Sequence, residues 1–127
     1  MDKSLAKIAV LFADVCGSTS LYERFGEAIA SADLALCIQM LGDICHGMDG
    51  ETVKTIGDET MCAFDDPVKA ALAATEMQAG LRKASEEGQY KMGDLHIKIG
   101  WYYGQVNWRD DELIGEAPIV AQQVIGR

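Results

Sequence analysis

The chain has 127 residues, 49% of them hydrophobic, enough to bury one sizeable core and too few for two ordinary domains. Its formal charge of −9, from 20 acidic and 11 basic residues, argues against a nucleic-acid or anionic-membrane surface, because those partners call for a basic footprint. Cys16, Cys37, Cys45 and Cys62 form no CxxC pair and the N-terminus has no signal-peptide layout, so the cysteines read as buried, reduced thiols of a cytoplasmic protein. No apolar run approaches the roughly 18 to 20 residues of a membrane span, so no membrane contact is expected from this chain.

Residues 5–15, LAKIAVLFADV, read as a buried strand that ends in the turn-prone CGSTS segment and leaves Asp14 at its exit. From residue 21 to 48, Leu21, Phe25, Ile29, Leu34, Ile38, Leu41 and Ile44 recur mostly three or four apart, the spacing of amphipathic helix, and Gly26 offers a point of division. After Asp49-Gly50, the runs ETVKTI and ETMCAF flank Gly57-Asp58 as a β-hairpin. Pro67 opens a second helical stretch, with Asp65 and Asp66 suited to its positive end, and it stops near Gly88. The run LHIKIGWYYGQVNW reads as a strand, and GEAPIVAQQVIGR as the opening of a helix. This order predicts an α+β domain: a ferredoxin-like antiparallel sheet with helices on one face, and a terminal helix added. Many functions share that plan, so function has to be argued from a site.

Asp14 and Asp58 lie close together if the first strand neighbours the hairpin, and paired carboxylates are the hard oxygen ligands magnesium uses beside phosphates. An aspartate at a strand exit or in a Gly-Asp turn also serves purely conformational ends. Cys45 and His46, adjacent but alone, read as a satisfied thiol beside a partly exposed histidine rather than a metal pair. His96 has no visible partner, and Trp101, Tyr102, Tyr103 and Trp108 suit core packing or a dimer contact better than a cofactor box.

Four segments in order, VLFADVCGSTSL, ETVKTIGDETMCAF, IKIGWYYGQV and DELIGEAPIVAQQ, resemble the catalytic domains of class III adenylate and guanylate cyclases across nearly the whole chain. The most specific are Phe-x-Asp-x-x-Gly-Ser-Thr at residues 12–19 and Val-Lys-x-x-Gly-Asp at residues 53–58. The resemblance implies one nucleotidyl cyclase homology domain over residues 1–127. It corresponds to the N-terminal two-thirds of the family domain, without the final strands and their phosphate-binding lysine; Arg127 is the nearest cation.

By the same resemblance, Asp14 and Asp58, helped by the Val15 carbonyl, hold two Mg2+ or Mn2+ ions, one activating the ribose 3′-hydroxyl and one binding the triphosphate. The amides of Val15, Cys16, Gly17, Ser18 and Thr19 would receive phosphate oxygens, although Ser18 and Thr19 equally suit helix capping. Lys54 takes the base-reading position and, donating to adenine N1, points to ATP over GTP. Four residues of strand put Lys54 about 13 Å from Asp58, which fits the family's head-to-tail homodimer with each site shared between protomers. The second base-reading position falls on Glu112, or on Asp111 if one gap is allowed; a solvated acidic loop is an equal reading of RDDE. Where the family has Val-Asn-x-Ala-x-Arg, with the asparagine orienting ribose and the arginine stabilising the transferring phosphoryl group, this chain has Ile119 and Gln123. The implied function is conversion of ATP to cyclic AMP and pyrophosphate in intracellular signalling, with weak activity. The alternative is a degenerate cyclase homology domain acting as a nucleotide-binding or dimerising regulatory module.

Overall fold

The computed structural model describes residues 6–109 and 112–126. Its elements in order are β1 (Ala6–Val15), α1 (Ser18–Phe25), α2 (Glu27–Gly47), β2 (Glu51–Ile56), β3 (Glu59–Phe64), α3 (Pro67–Glu86), β4 (Ile97–Arg109), β5 (Glu112–Ile114) and α4 (Glu116–Val124). The strands pair antiparallel in the order β2-β3-β1-β4-β5, the ferredoxin-like plan with a short strand added at the β4 edge.

β1 is apolar from Ile8 to Ala13 because it is paired on both sides and covered on both faces, and each of those residues is buried. Ala9, Leu11, Ala13 and Val15 meet Leu34, Cys37 and Leu41 of α2 and Ala73, Met77 and Leu81 of α3. Ile8, Val10 and Phe12 point the other way, onto Ala117 and Ala121 of α4 and onto Ile125. The helices α2 and α3 thus cover one face, as expected, while the terminal helix α4 lies across the opposite one. Gly100 allows that approach: a Cβ there would sit 2.6 Å from the Ile125 amide nitrogen and 2.8 Å from the Ala121 carbonyl oxygen.

The helical stretch divides at Gly26, whose φ of 84° is open to glycine. α2, at 21 residues with a mean hydropathy of 1.5 over its most apolar window, is long and apolar enough by composition to cross a membrane, although its apolar residues form no uninterrupted run. Its buried positions Ala30, Leu34, Cys37, Leu41 and Cys45 form the stripe that packs on the sheet. Asp33 is buried in the same stripe, and its carboxylate accepts a 2.7 Å bond from the Met92 amide, tying the segment before β4 to the helix. At the start of α3 the Asp66 side chain accepts from the Val68 amide at 2.9 Å, with Pro67 in the first helical position. The aromatic residues of β4 alternate between cores: Trp101 and Tyr103 pack toward α2 and α3, Tyr102 and Trp108 toward α4.

The cysteines depart from expectation at one position. Cys37, Cys45 and Cys62 are buried, but Cys16 is exposed in the turn after β1, and none forms a disulfide. Burial pushes the Cys37 thiol up to about 11, and Cys45 and Cys62 share a hydrogen bond beneath the sheet. A thiol-specific disulfide reagent should therefore titrate one cysteine promptly in the native protein and all four in denaturant. Gly100→Val should destabilise by about 1–3 kcal/mol in urea unfolding, because α4 must shift to admit the side chain.

Candidate active site

The β1–β3 register pairs Asp14 with Glu59, so Asp58, the residue before Glu59, lies diagonally across from Asp14 at the same end of the sheet. Gly57 takes a φ of 60° at the first turn position of the hairpin, where glycine is favoured, and Asp58 follows it at the tip. The structure thus brings the two predicted carboxylates to one sheet end. Two further charged groups join them there: Glu59, only 5% exposed, and Lys98, the partner of Asp14 on β4. Sequence reasoning passed over Glu59; its signal was an acid directly after the Gly-Asp turn, on the alternation of the apolar Met61.

Beyond Asp14 the chain turns through Cys16 and Gly17 into α1. The Cys16 amide donates to the His96 carbonyl at 2.8 Å, extending the β1–β4 ladder by one bond, so that amide is already engaged. Gly17 is the N-cap in left-handed conformation, φ 64°, and no side chain caps the helix. Ser18 and Thr19 are therefore first-turn residues, whose amides lack intrahelical partners by the geometry of any helix start. Val15 is buried at the end of β1, under α1 and α2.

Lys54 reaches its place through a β-bulge. Thr52 pairs with Cys62 and faces the α2 side, and simple alternation would send Lys54 the same way. The register shifts between Thr52 and Lys54, so Lys54 pairs with Met61 and shares the α4 face with Phe12. There it lines a groove of about 250 Å³ with Ile56, Ile114, Ile119 and Gln122. Of the positions singled out on the terminal helix, Ile119 is in this groove, 58% exposed, whereas Gln123 is exposed and outside its lining. Glu112 is exposed on β5 opposite Arg109 and also lies outside the lining, which Leu113 and Ile114 form instead. Asp111 and Arg127 fall outside the described residues. β5 lies between the strand and the helix expected from the sequence, in a stretch where no element was expected. The Tyr102 hydroxyl donates to the Glu116 carboxylate, which pins the start of α4 to β4 and raises the phenol's pKa.

Residues 1–116 match the family model for the adenylate and guanylate cyclase catalytic domain. The chain belongs to that family. Comparison with curated proteins by sequence returned no match. Among solved structures, this cyclase domain is similar to a bacterial light-regulated adenylyl cyclase (21% identity, TM-score 0.84, 95% of this chain and 69% of that one). It is also similar to the adenylyl cyclase CyaB from P. aeruginosa (22% identity, TM-score 0.83, 98% and 74%). A third is the catalytic core of a rhodopsin-guanylyl cyclase with converted specificity, in complex with ATPalphaS (21% identity, TM-score 0.84, 95% and 71%). At these identities the likeness is one of fold.

The cyclase domain's carboxylates can be tested against the divalent ions that the family implies. The Asp58 Oδ2 atom is buried and has no hydrogen-bond partner among the described residues. A buried carboxylate oxygen without a donor is costly, and a cation is the partner that removes the cost. No group of three or more His, Cys, Asp or Glu side chains is arranged for a metal among the described residues. A two-carboxylate site fits magnesium or manganese, which take one or two protein carboxylates and complete their shell with water and substrate phosphates. Asp58→Asn should accordingly raise the metal-free stability by about 1 kcal/mol, since a neutral amide is less costly to bury. It should also abolish the rise in melting temperature that Mn2+ gives the parent protein; thermal melts with and without Mn2+ check both halves.

Proposed function

We propose that this cyclase domain binds ATP with two divalent ions across a head-to-tail homodimer and turns it over to cyclic AMP and pyrophosphate slowly. The observation that carries the reading is the placement of Lys54 by the bulge into a groove with Ile119, on the face to which Asp14 belongs by alternation. Backbone geometry separates Lys54 from Asp14 by two strands and one row of pairs, about 12 Å. Base and phosphate functions are thus held apart, in keeping with sites shared between protomers. Exposed apolar side chains gather at the groove: Ile56 and Ile119 at 58%, Ile114 at 37%, with Val124 at 58% further along α4. A second copy laid over this edge would cover them.

In such a site Lys54 donates to the adenine ring, and the free first-turn amides of α1 meet phosphate oxygens. Asp14, Asp58 and the Val15 carbonyl hold the ions, which when bound would polarise the attacking hydroxyl and neutralise the leaving pyrophosphate. The α4 side is where the site is poor. Ile119 offers the ribose no hydrogen bond, and Gln123 brings no charge to the transferring phosphoryl group. That observation also favours the second reading, a domain that binds nucleotide and dimerises without appreciable turnover, in a cytoplasmic signalling protein.

A cyclic AMP assay with ATP, in Mn2+ and in Mg2+, alongside sedimentation with nucleotide present, tests the proposal. Expected are a dimer, metal-dependent ATP binding, and turnover far below the order of 10 per second of an ordinary enzyme. Ile119→Asn with Gln123→Arg should raise cyclic AMP formation by more than the product of the single changes, because both serve one transition state; a charged group in this role is worth on the order of 10³ to 10⁵ in rate. Parent turnover near 10 per second would mean that another group supplies the charge, and a strict monomer would overturn the shared site.

A further inference from the structure

Two buried thiols lie in contact on elements that the chain joins only through β2. Cys45 is in the last turn of α2 and Cys62 is in β3; both are fully buried, and they share a hydrogen bond. The Cys45 sulfur is held in place from the other side. A Cβ added at Gly50 would come within 2.8 Å of that sulfur and 2.4 Å of the Phe64 ring, so the bare glycine and the ring enclose it. On the adjacent strand Thr52 pairs with Cys62, and its side chain lies against both sulfurs. Thr52 also lines an open groove of about 640 Å³ between α2 and β2, together with Gly42, Asp43 and His46. Gly42 adds no side chain to the cover there: a Cβ on it would stand 3.8 Å from the Thr52 hydroxyl oxygen. The thiols are thus shielded from that groove by one small residue. Donation from the Cys62 S–H draws the Cys45 thiol down and leaves Cys62 raised, which makes Cys45 the readier thiolate of the two. Cys37 is buried as completely, but burial alone acts on it and pushes it up to about 11.

We propose that Cys45 and Cys62 form a reversible disulfide in response to hydrogen peroxide, stapling the end of α2 to β3. The Cys45 thiolate attacks one peroxide oxygen and the O–O bond breaks, leaving a sulfenic acid on Cys45 and a hydroxide that takes up the proton the thiol lost. The Cys62 sulfur then attacks the Cys45 sulfur; the S–O bond breaks, the S–S bond forms, and water leaves with the Cys62 proton. The two thiols together give up two electrons, and one peroxide becomes two waters. The loop so closed runs through β2 and the Gly57-Asp58 turn, so it carries both Lys54 and Asp58. Oxidation would therefore fasten the hairpin that presents them to the helix layer beneath it. The proposal stands independently of the nucleotide reading above.

Peroxide treatment of the native protein, followed by alkylation and peptide mapping without reductant, tests this. The expected product is a peptide pair linked through Cys45 and Cys62, with Cys37 recovered as a free thiol and dithiothreitol restoring all of them. The oxidised protein should melt about 5–10 °C above the reduced one, since a loop of this length is costly to leave open in the unfolded chain. Cys45→Ala and Cys62→Ala should each remove both the link and the shift. Exposed Cys16 reports that the oxidant has acted. Cys45 and Cys62 still free once Cys16 is oxidised would overturn the proposal. So would a link to Cys37 or Cys16 in place of the expected pair, and so would a linked protein that melts no higher than the reduced one.

Discussion

Strand β1 is the constraint from which the rest of the molecule follows. It is hydrogen-bonded along both edges, to β3 and to β4, and its six residues from Ile8 to Ala13 are buried. Its odd-numbered side chains make the floor for α2 and α3, and its even-numbered ones make the floor for α4. A slip of one residue in its register would exchange the two floors and carry Asp14 to the wrong face. The antiparallel pairing also sets the end at which Asp14 emerges, beside the β2–β3 turn, so the carboxylate pair is a consequence of strand register. The end of the sheet that carries the two carboxylates is thus anchored to the buried strand β1.

Two local departures from regular structure then aim the side chains. The left-handed Gly17 lets the chain leave β1 and enter α1 within two residues, which keeps the helix start beside Asp14. The bulge before Lys54 reverses the facing of one side chain on an edge strand. Without it Lys54 would stand on the α2 face, in line with Thr52, and the groove beside α4 would contain no cation. Each device costs little, because one sits in a turn and the other on an edge strand, where a lost ladder bond can be replaced by water.

The parts of this arrangement that were legible in the sequence are those with a local physical signature. The Gly57-Asp58 turn between two β-rich runs, Asp66-Pro67 at a helix start and the break at Gly26 each follow from the backbone preference of one or two residues. The bulge was not legible, since nothing in ETVKTI distinguishes a regular from a bulged strand; only the pairing with β3 decides it. β5 is three residues long and pairs with β4, too short for alternation to show. The face that α4 chooses was hidden for a similar reason: amphipathicity says that a helix packs, and the close approach at Gly100 says where. Asp33 carried a signal that pattern reading averaged away, a charged residue among Ala30, Leu34 and Cys37 on an apolar stripe, and it marks a hydrogen bond across 59 residues of chain.

The two sides of the site make different demands on the fold, and this bears on how a cyclase domain can retain one and alter the other. Asp14 and Asp58 belong to the central strand and a tight hairpin, where a substitution acts on buried surroundings. Ile119 and Gln123 lie on the outer surface of the terminal helix, where exchanges usually change stability by no more than about 0.5 kcal/mol. Nothing in the packing of α4, which rests on Ala117, Ala121 and Ile125, depends on what stands at positions 119 and 123. On the proposed reading, the groups that serve the transferring phosphoryl group stand where exchange has little structural consequence. The carboxylate pair and the groove around Lys54 are instead built into the register of the sheet, so they persist with the fold.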